Sequence, residues 1–147
     1  MSDTSNPILE RWSKIFLIIV AVTIGFAAFM VLPPYPSIAY FNTLLYKDIG
    51  FPSDFSPEAI RYITFLYGVL GCVMIGWMAL VAGLTHQSLS KGSARTWKLI
   101  MASLLIWFIP DTLLSLVSGY WQNGASNTVF FVAFLIPMLK MRAHLLT

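Results

Sequence analysis

The segment "WFIPDTLLSLVSGYWQN", residues 107–123, places an acid directly behind a proline inside an apolar run. Asp111 is the one carboxylate within any apolar run of the chain. A charge at the middle of a bilayer costs about 2.5–3.5 kcal/mol on insertion scales, so such a residue is a functional candidate by default. At about 100° per residue, Asp111, Ser115 and Ser118 share one helical stripe, continued the other way by Trp107, Leu104 and Ile100. Asn123 and Asn127 are four apart and share a face of the next segment. Arg61 opens the second apolar segment. The expectation is that Arg61, Asp111, Ser115, Ser118 and Asn127 meet near the outer membrane boundary as one polar cluster. That cluster either locks helices together or binds a ligand. Pro110 withholds an amide from the Ile106 carbonyl, and Pro137 does the same to Ala133, which opens each helix locally.

The chemistry within reach of such a cluster is restricted by what surrounds it. His86 and His144 fall in or beside the flanks of the apolar segments, so neither serves as base for Ser115, and a haem between mid-membrane histidines is excluded. Two histidines without nearby carboxylates make no metal site. Cys72 is the single cysteine, which rules out an internal disulfide, a CxxC redox pair and a thiolate metal cage. No cofactor is indicated, although the aromatic residues suit a pocket for an apolar or pigment-like ligand.

These side chains must be positioned by membrane-spanning helices. Of the 147 residues, 58% are hydrophobic and 10% charged, with a mean hydropathy of +0.77, more apolar surface than a soluble domain of this size buries. A spanning helix needs roughly 20 apolar residues. The fold class expected is an all-α membrane protein, one domain over 1–147, with four transmembrane helices in an antiparallel bundle. The spans are about 13–32, 57–84, 96–118 and 125–141, with an outer connection at 33–56. The first run is longer than the 7–15 residues typical of a signal-peptide core, and "FMVLPPYP" offers no small-residue cleavage site, so it reads as an uncleaved anchor. In the outer connection, "LPPYP" forces an extended exit from helix 1. Ile38, Phe41, Leu45 and Ile49 then recur at near-helical spacing, beside Tyr40 and Tyr46, which predicts a short interfacial helix. Ser56 as N-cap, Pro57 at the first helical position and Glu58 in the first turn mark the start of helix 2.

Orientation follows from the cations. Arg11, Lys14, Lys91, Arg95, Lys98, Lys140 and Arg142 flank one side, and Lys47 and Arg61 the other. Short cytoplasmic loops collect Lys and Arg, so both termini are expected in the cytoplasm. The pI near 9.2 is then a consequence of topology, and no nucleic-acid partner is implied. On helix 2, Arg61, Thr64, Gly68, Cys72, Ile75, Ala79 and Gly83 line up as a small-residue seam. Gly76 on helix 2 and Gly25 on helix 1 are further packing candidates, since small residues let membrane helices approach closely.

The stretch "GWMALVAGLTHQSLSKGSARTWKLIMASLLIWFIPDTLLSLVSGYWQNGASNTVFFVAFLIP" resembles small bacterial four-helix inner-membrane proteins of uncharacterised function, in which a Trp-Phe pair precedes an Asp-Thr and an Asn-containing turn. The resemblance implies four-helix topology and the bacterial inner membrane. A more distant likeness is to the four-helix sterol-isomerase and sigma-receptor-like group, whose cavity uses more than one intramembrane acid; this chain has Asp111 alone. The reading is a non-enzymatic integral membrane protein, either an accessory subunit of a larger membrane complex or a module holding an apolar ligand. Partners are then the lipid bilayer and other subunits or further copies of the chain. The alternative is a small membrane enzyme or carrier for a lipid-like substrate, with Asp111 as its acid or base.

Overall fold

The computed structural model describes residues 6–32, 40–41 and 55–145. Four helices dominate them: α1 (Pro7–Val31), α2 (Pro57–Leu84), α3 (Ala94–Val117) and α4 (Trp121–Leu145). Each is long and apolar enough to cross a membrane, and no strand occurs among the described residues. The shortest, α3 with 24 residues, extends about 36 Å at 1.5 Å per residue, against roughly 30 Å of hydrocarbon. Most of the interfacial helix predicted for the first connection lies outside the described residues. Its Tyr40 and Phe41 are described and helical.

The helix ends follow local chemistry. Asn6 Oδ1 accepts the Ile8 amide at 3.0 Å, with Pro7 at the first helical position, where its missing amide costs nothing. Ser56 Oγ accepts the Ala59 amide at 3.2 Å, as the Ser-Pro-Glu signal predicts. Ser93 Oγ receives the Thr96 amide at 3.2 Å and so caps α3. Helix α2 ends in a π turn, Thr85–Leu89, where the Ser90 amide reaches back to the Thr85 carbonyl at 3.0 Å. Gly92 then takes φ of 89°, which a residue with Cβ adopts only at a cost.

The chain divides into two compact units, residues 1–21 with 80–147, and residues 22–79. In the first, α3 and α4 form an antiparallel hairpin. Trp97 Nε1 donates to the Met138 carbonyl at 2.7 Å, Phe108 and Phe131 stack with centroids 4.2 Å apart, and Gly124 sits beside Thr112 and Leu116. The first turns of α1 pack on the end of α4, where Phe16 meets Phe134 edge-on at 5.5 Å and Ser13 Oγ donates to Met141 Sδ at 3.4 Å. Buried residues along α1, namely Leu9, Ser13, Phe16, Val20, Thr23, Ala27 and Met30, alternate steps of four and three. That 3.5-residue repeat keeps the buried positions on one face of the helix, Leu9 to Val20 in this unit and Thr23 to Met30 in the second.

In the second unit, the closest backbone approach occurs at Gly71. A Cβ built there would lie 2.7 Å from the Ala27 carbonyl oxygen and 2.8 Å from Val31 Cγ2. The small-residue stripe expected to pack presents no such contact: an added Cβ at Gly25, Gly68 or Gly76 would meet nothing within 4 Å among the described residues, nor would one at Gly83, and Cys72 is exposed. Counting small residues identifies a stripe but not which way it faces, and Gly71 lies one residue, about 100°, around the helix from Cys72. Beside this contact, Phe41 stacks on Tyr67 with centroids 4.8 Å apart and planes at 4°. Phe41 also meets Phe26 at 6.2 Å, while Tyr40 lies edge-on to Phe26 at 6.1 Å and to Phe29 at 6.5 Å.

Candidate functional site

The polar site begins with the turn that joins α3 to α4. Gly119 adopts φ of 82°, and its amide bonds the Leu116 carbonyl at 3.1 Å while the Tyr120 amide bonds that of Ser115 at 2.8 Å. This is the Schellman arrangement, which satisfies the last carbonyls of a helix and reverses the chain within a few residues. The reversal is tight enough that Asn123, in the first turn of α4, faces Ser115 and Asp111 on the last turns of α3.

Four side chains meet there. Asn123 Nδ2 donates to Ser115 Oγ at 2.8 Å and to Asp111 Oδ1 at 3.2 Å, one bond for each amide hydrogen. Trp107 Nε1 donates to Asp111 Oδ2 at 3.1 Å. Ser115 Oγ lies 2.7 Å from the Asp111 backbone carbonyl and 3.4 Å from its Oδ1. A hydroxyl has one hydrogen, and the shorter contact takes it. Each oxygen of the half-buried Asp111 carboxyl therefore receives a donor from the hairpin, which offsets the cost of holding it in apolar surroundings.

The residues expected to form the cluster divide accordingly. Asp111 and Ser115 are bonded to each other. Ser118 is the exposed C-cap of α3, its backbone amide bonded to the Leu114 carbonyl at 3.0 Å. Asn127 is buried one turn beyond Asn123, and its Nδ2 has no partner among the described residues. Arg61 is exposed near the start of α2, in the other unit; the bonds Asp111 makes come from its own helix and from α4. The residues that complete the site, Trp107 and Asn123, carried a readable signal. Trp107 precedes Asp111 by four residues, the spacing at which helical side chains meet, and Asn123 follows Gly119 by four, within reach of a Schellman reversal. Thr112 Oγ1 and Gln122 Oε1 on the same hairpin are also buried without partners among the described residues.

The arrangement favours holding over reacting. The Ser115 proton is directed at a backbone carbonyl, so nothing draws it off to make a nucleophile. His144 stands roughly 30 Å along α4 from Asn123, at about 1.5 Å per residue. His86 lies in the π turn at that same far end, where Gly92 approaches Leu9 and Leu145. Among the described residues, no three of His, Cys, Asp and Glu group to hold a metal ion. No protein-family model, curated protein or solved structure matches the chain.

Proposed function

We propose that the chain is a non-enzymatic integral membrane protein in which Asp111 ties α3 to α4, and that it serves as an accessory subunit of a larger membrane complex. The observation that carries this reading is the commitment of both Asp111 oxygens and both Asn123 amide hydrogens within one hairpin. An acid so engaged contributes to architecture: buried polar groups that are fully bonded specify one packing, whereas half-bonded ones are costly. A second reading, a module holding an apolar ligand with a polar tip, draws support from Thr112 Oγ1, Gln122 Oε1 and Asn127 Nδ2. The Thr112 hydroxyl, the Gln122 acceptor and the Asn127 donor each stay unmet among the described residues, and a molecule supplying complementary groups gains the full value of bonds otherwise forgone.

Mass spectrometry of the protein extracted in mild detergent separates the two. A stoichiometric protein partner supports the subunit, and a retained small molecule, lost in Asn127→Leu, supports the module. A bare chain sinks both. Orientation is tested by thiol labelling on a Cys72→Ser background. With both termini cytoplasmic, cysteines placed at Ser2, Ser90 and Thr147 should resist an impermeant reagent in intact cells, and one at Ser53 should react. Strong labelling at Ser90 in sealed cells reverses the orientation.

A further inference from the structure

The cations that the membrane reading treats as topological markers are brought together by the packing of the first unit. Leu9 of α1, Gly92 of the α2–α3 connection and Leu145 of α4 converge, with Leu9 Cδ1 and Leu145 Cδ2 each 3.9 Å from a Cβ placed at Gly92. Ser13 meets Met141 and Trp97 meets Met138 just beyond. Arg11, Lys91, Arg95, Lys98, Lys140 and Arg142 are therefore gathered at one end of this unit, all of them exposed. The acid described at that end, Glu10, is already bonded to Lys14 at 2.7 Å. Six cations are left there without a compensating acid among the described residues.

Below these charges the surface changes abruptly. On α3, Arg95 heads a stripe continued by Leu99, Ala102, Ile106 and Ile109, which are exposed and fall within about 40° of it around the helix. On α4, Lys140 heads the exposed Ile136 and Val129, which likewise fall within about 40° of it, with the exposed Val132 about 80° around the helix. Each stripe is a cation above an apolar strip, the complement of an anionic headgroup above an acyl chain. Arg142 adds a fixed element. Its guanidinium carbon lies 5.8 Å from the Trp97 ring centroid, while the Trp97 N–H is spent on the Met138 carbonyl, so the ring is held and the cation rests on its face. A guanidinium on an aromatic face keeps its edge donors for phosphate oxygens.

We propose that this end of the first unit is a binding site for anionic phospholipids, with the headgroup phosphates on the gathered cations and the acyl chains along the two exposed stripes. The proposal rests on the membrane-embedded reading and on neither role suggested for Asp111. Its test is native mass spectrometry of the protein in a nonionic detergent, titrated with phosphatidylglycerol or with phosphatidylcholine of the same acyl chains. Each cation near an anionic surface contributes about 1 kcal/mol, a factor of about five. Phosphatidylglycerol should bind at least tenfold more tightly than phosphatidylcholine at low salt, and the preference should shrink as salt rises. Arg95→Gln with Lys140→Gln should weaken phosphatidylglycerol binding about 25-fold, whereas Arg61→Gln should leave it unchanged.

The preference of the unaltered protein and its salt dependence stand even if the double variant fails to fold. Equal uptake of the two lipids, or an equal loss in Arg61→Gln, overturns the site while leaving the membrane reading in place. Failure to take up either lipid counts against both. Soluble glycerol phosphate displacing the lipid at matched concentration makes this a free-anion site and defeats the proposal as well.

Discussion

Gly71→Leu is expected to be the most damaging single substitution in the helices. Even the first added carbon would fall 2.7 Å from the Ala27 carbonyl oxygen, 2.8 Å from Val31 Cγ2 and 3.2 Å from Met30 Cβ. A flexible side chain relieves such a clash by changing rotamer, but a backbone oxygen and a Cβ move only with their helix. Overpacking of this kind costs about 1–3 kcal/mol and sometimes more; for a chain of this size 3 kcal/mol is a fall in Tm of about 6–12 °C. Gly76→Leu, on a side of α2 where an added Cβ meets nothing within 4 Å among the described residues, should shift Tm by no more than about 2 °C. Thermal unfolding in detergent, followed by helical circular dichroism, decides between them. Equal melting of the two variants means that the helices do not approach at Gly71.

The second large effect is expected at the hairpin. Asn123→Leu removes the donor to Asp111 Oδ1 and to Ser115 Oγ together, leaving one half-buried and one buried acceptor short of a bond at about 1–3 kcal/mol each. Asp111→Leu removes the acceptor of the Trp107 Nε1 bond and of one Asn123 hydrogen. Each should lower stability by about 2–4 kcal/mol. The double variant, which exchanges the bonded pair for two apolar side chains of comparable shape, should lose less than the sum, with a coupling of about 1–2 kcal/mol. Additive losses would show that the pair does not act as a unit. The same cycle run between Asp111 and Arg61 measures any contribution of the arginine, and a coupling larger than that of Asn123 would move the lock to α2. If Asp111→Leu keeps its stability but loses a co-purifying molecule, the carboxyl belongs to ligand binding.

Much of this architecture was legible from residue order. Three of the four expected spans reach the roughly 20 residues a bilayer demands and the fourth, about 125–141, falls short of it, its helix starting earlier at Trp121. Backbone amides in hydrocarbon must bond within their own helix, so length and hydropathy pointed to four helices. Ser56-Pro57-Glu58 marked the start of α2 for an equally local reason, since a cap is satisfied within three residues. Asp111 stood out because a carboxyl in an apolar run is costly wherever the chain folds, and Ser115 joined it because four residues is one helical turn. These are consequences of chemistry that a residue carries with it or exchanges with its near neighbours.

Tertiary structure decided which partners come from farther away. Asn123 reaches Asp111 because Gly119 takes a left-handed conformation and the Schellman bonds reverse the chain there; the spacing of Gly119 and Asn123 permits that reversal, and the fold selects it. Likewise Gly71, Gly68 and Gly76 are the same residue type in the same helix, and only the position of α1 against α2 separates the one that bears a backbone contact from those that bear none among the described residues. Hydropathy cannot make that distinction in a membrane chain, because the lipid-facing and helix-facing sides are equally apolar and neither is set apart by an aversion to water. The inward face of each helix was therefore chosen by shape, at the places where a ring, a sulfur or a bare Cα happened to fit.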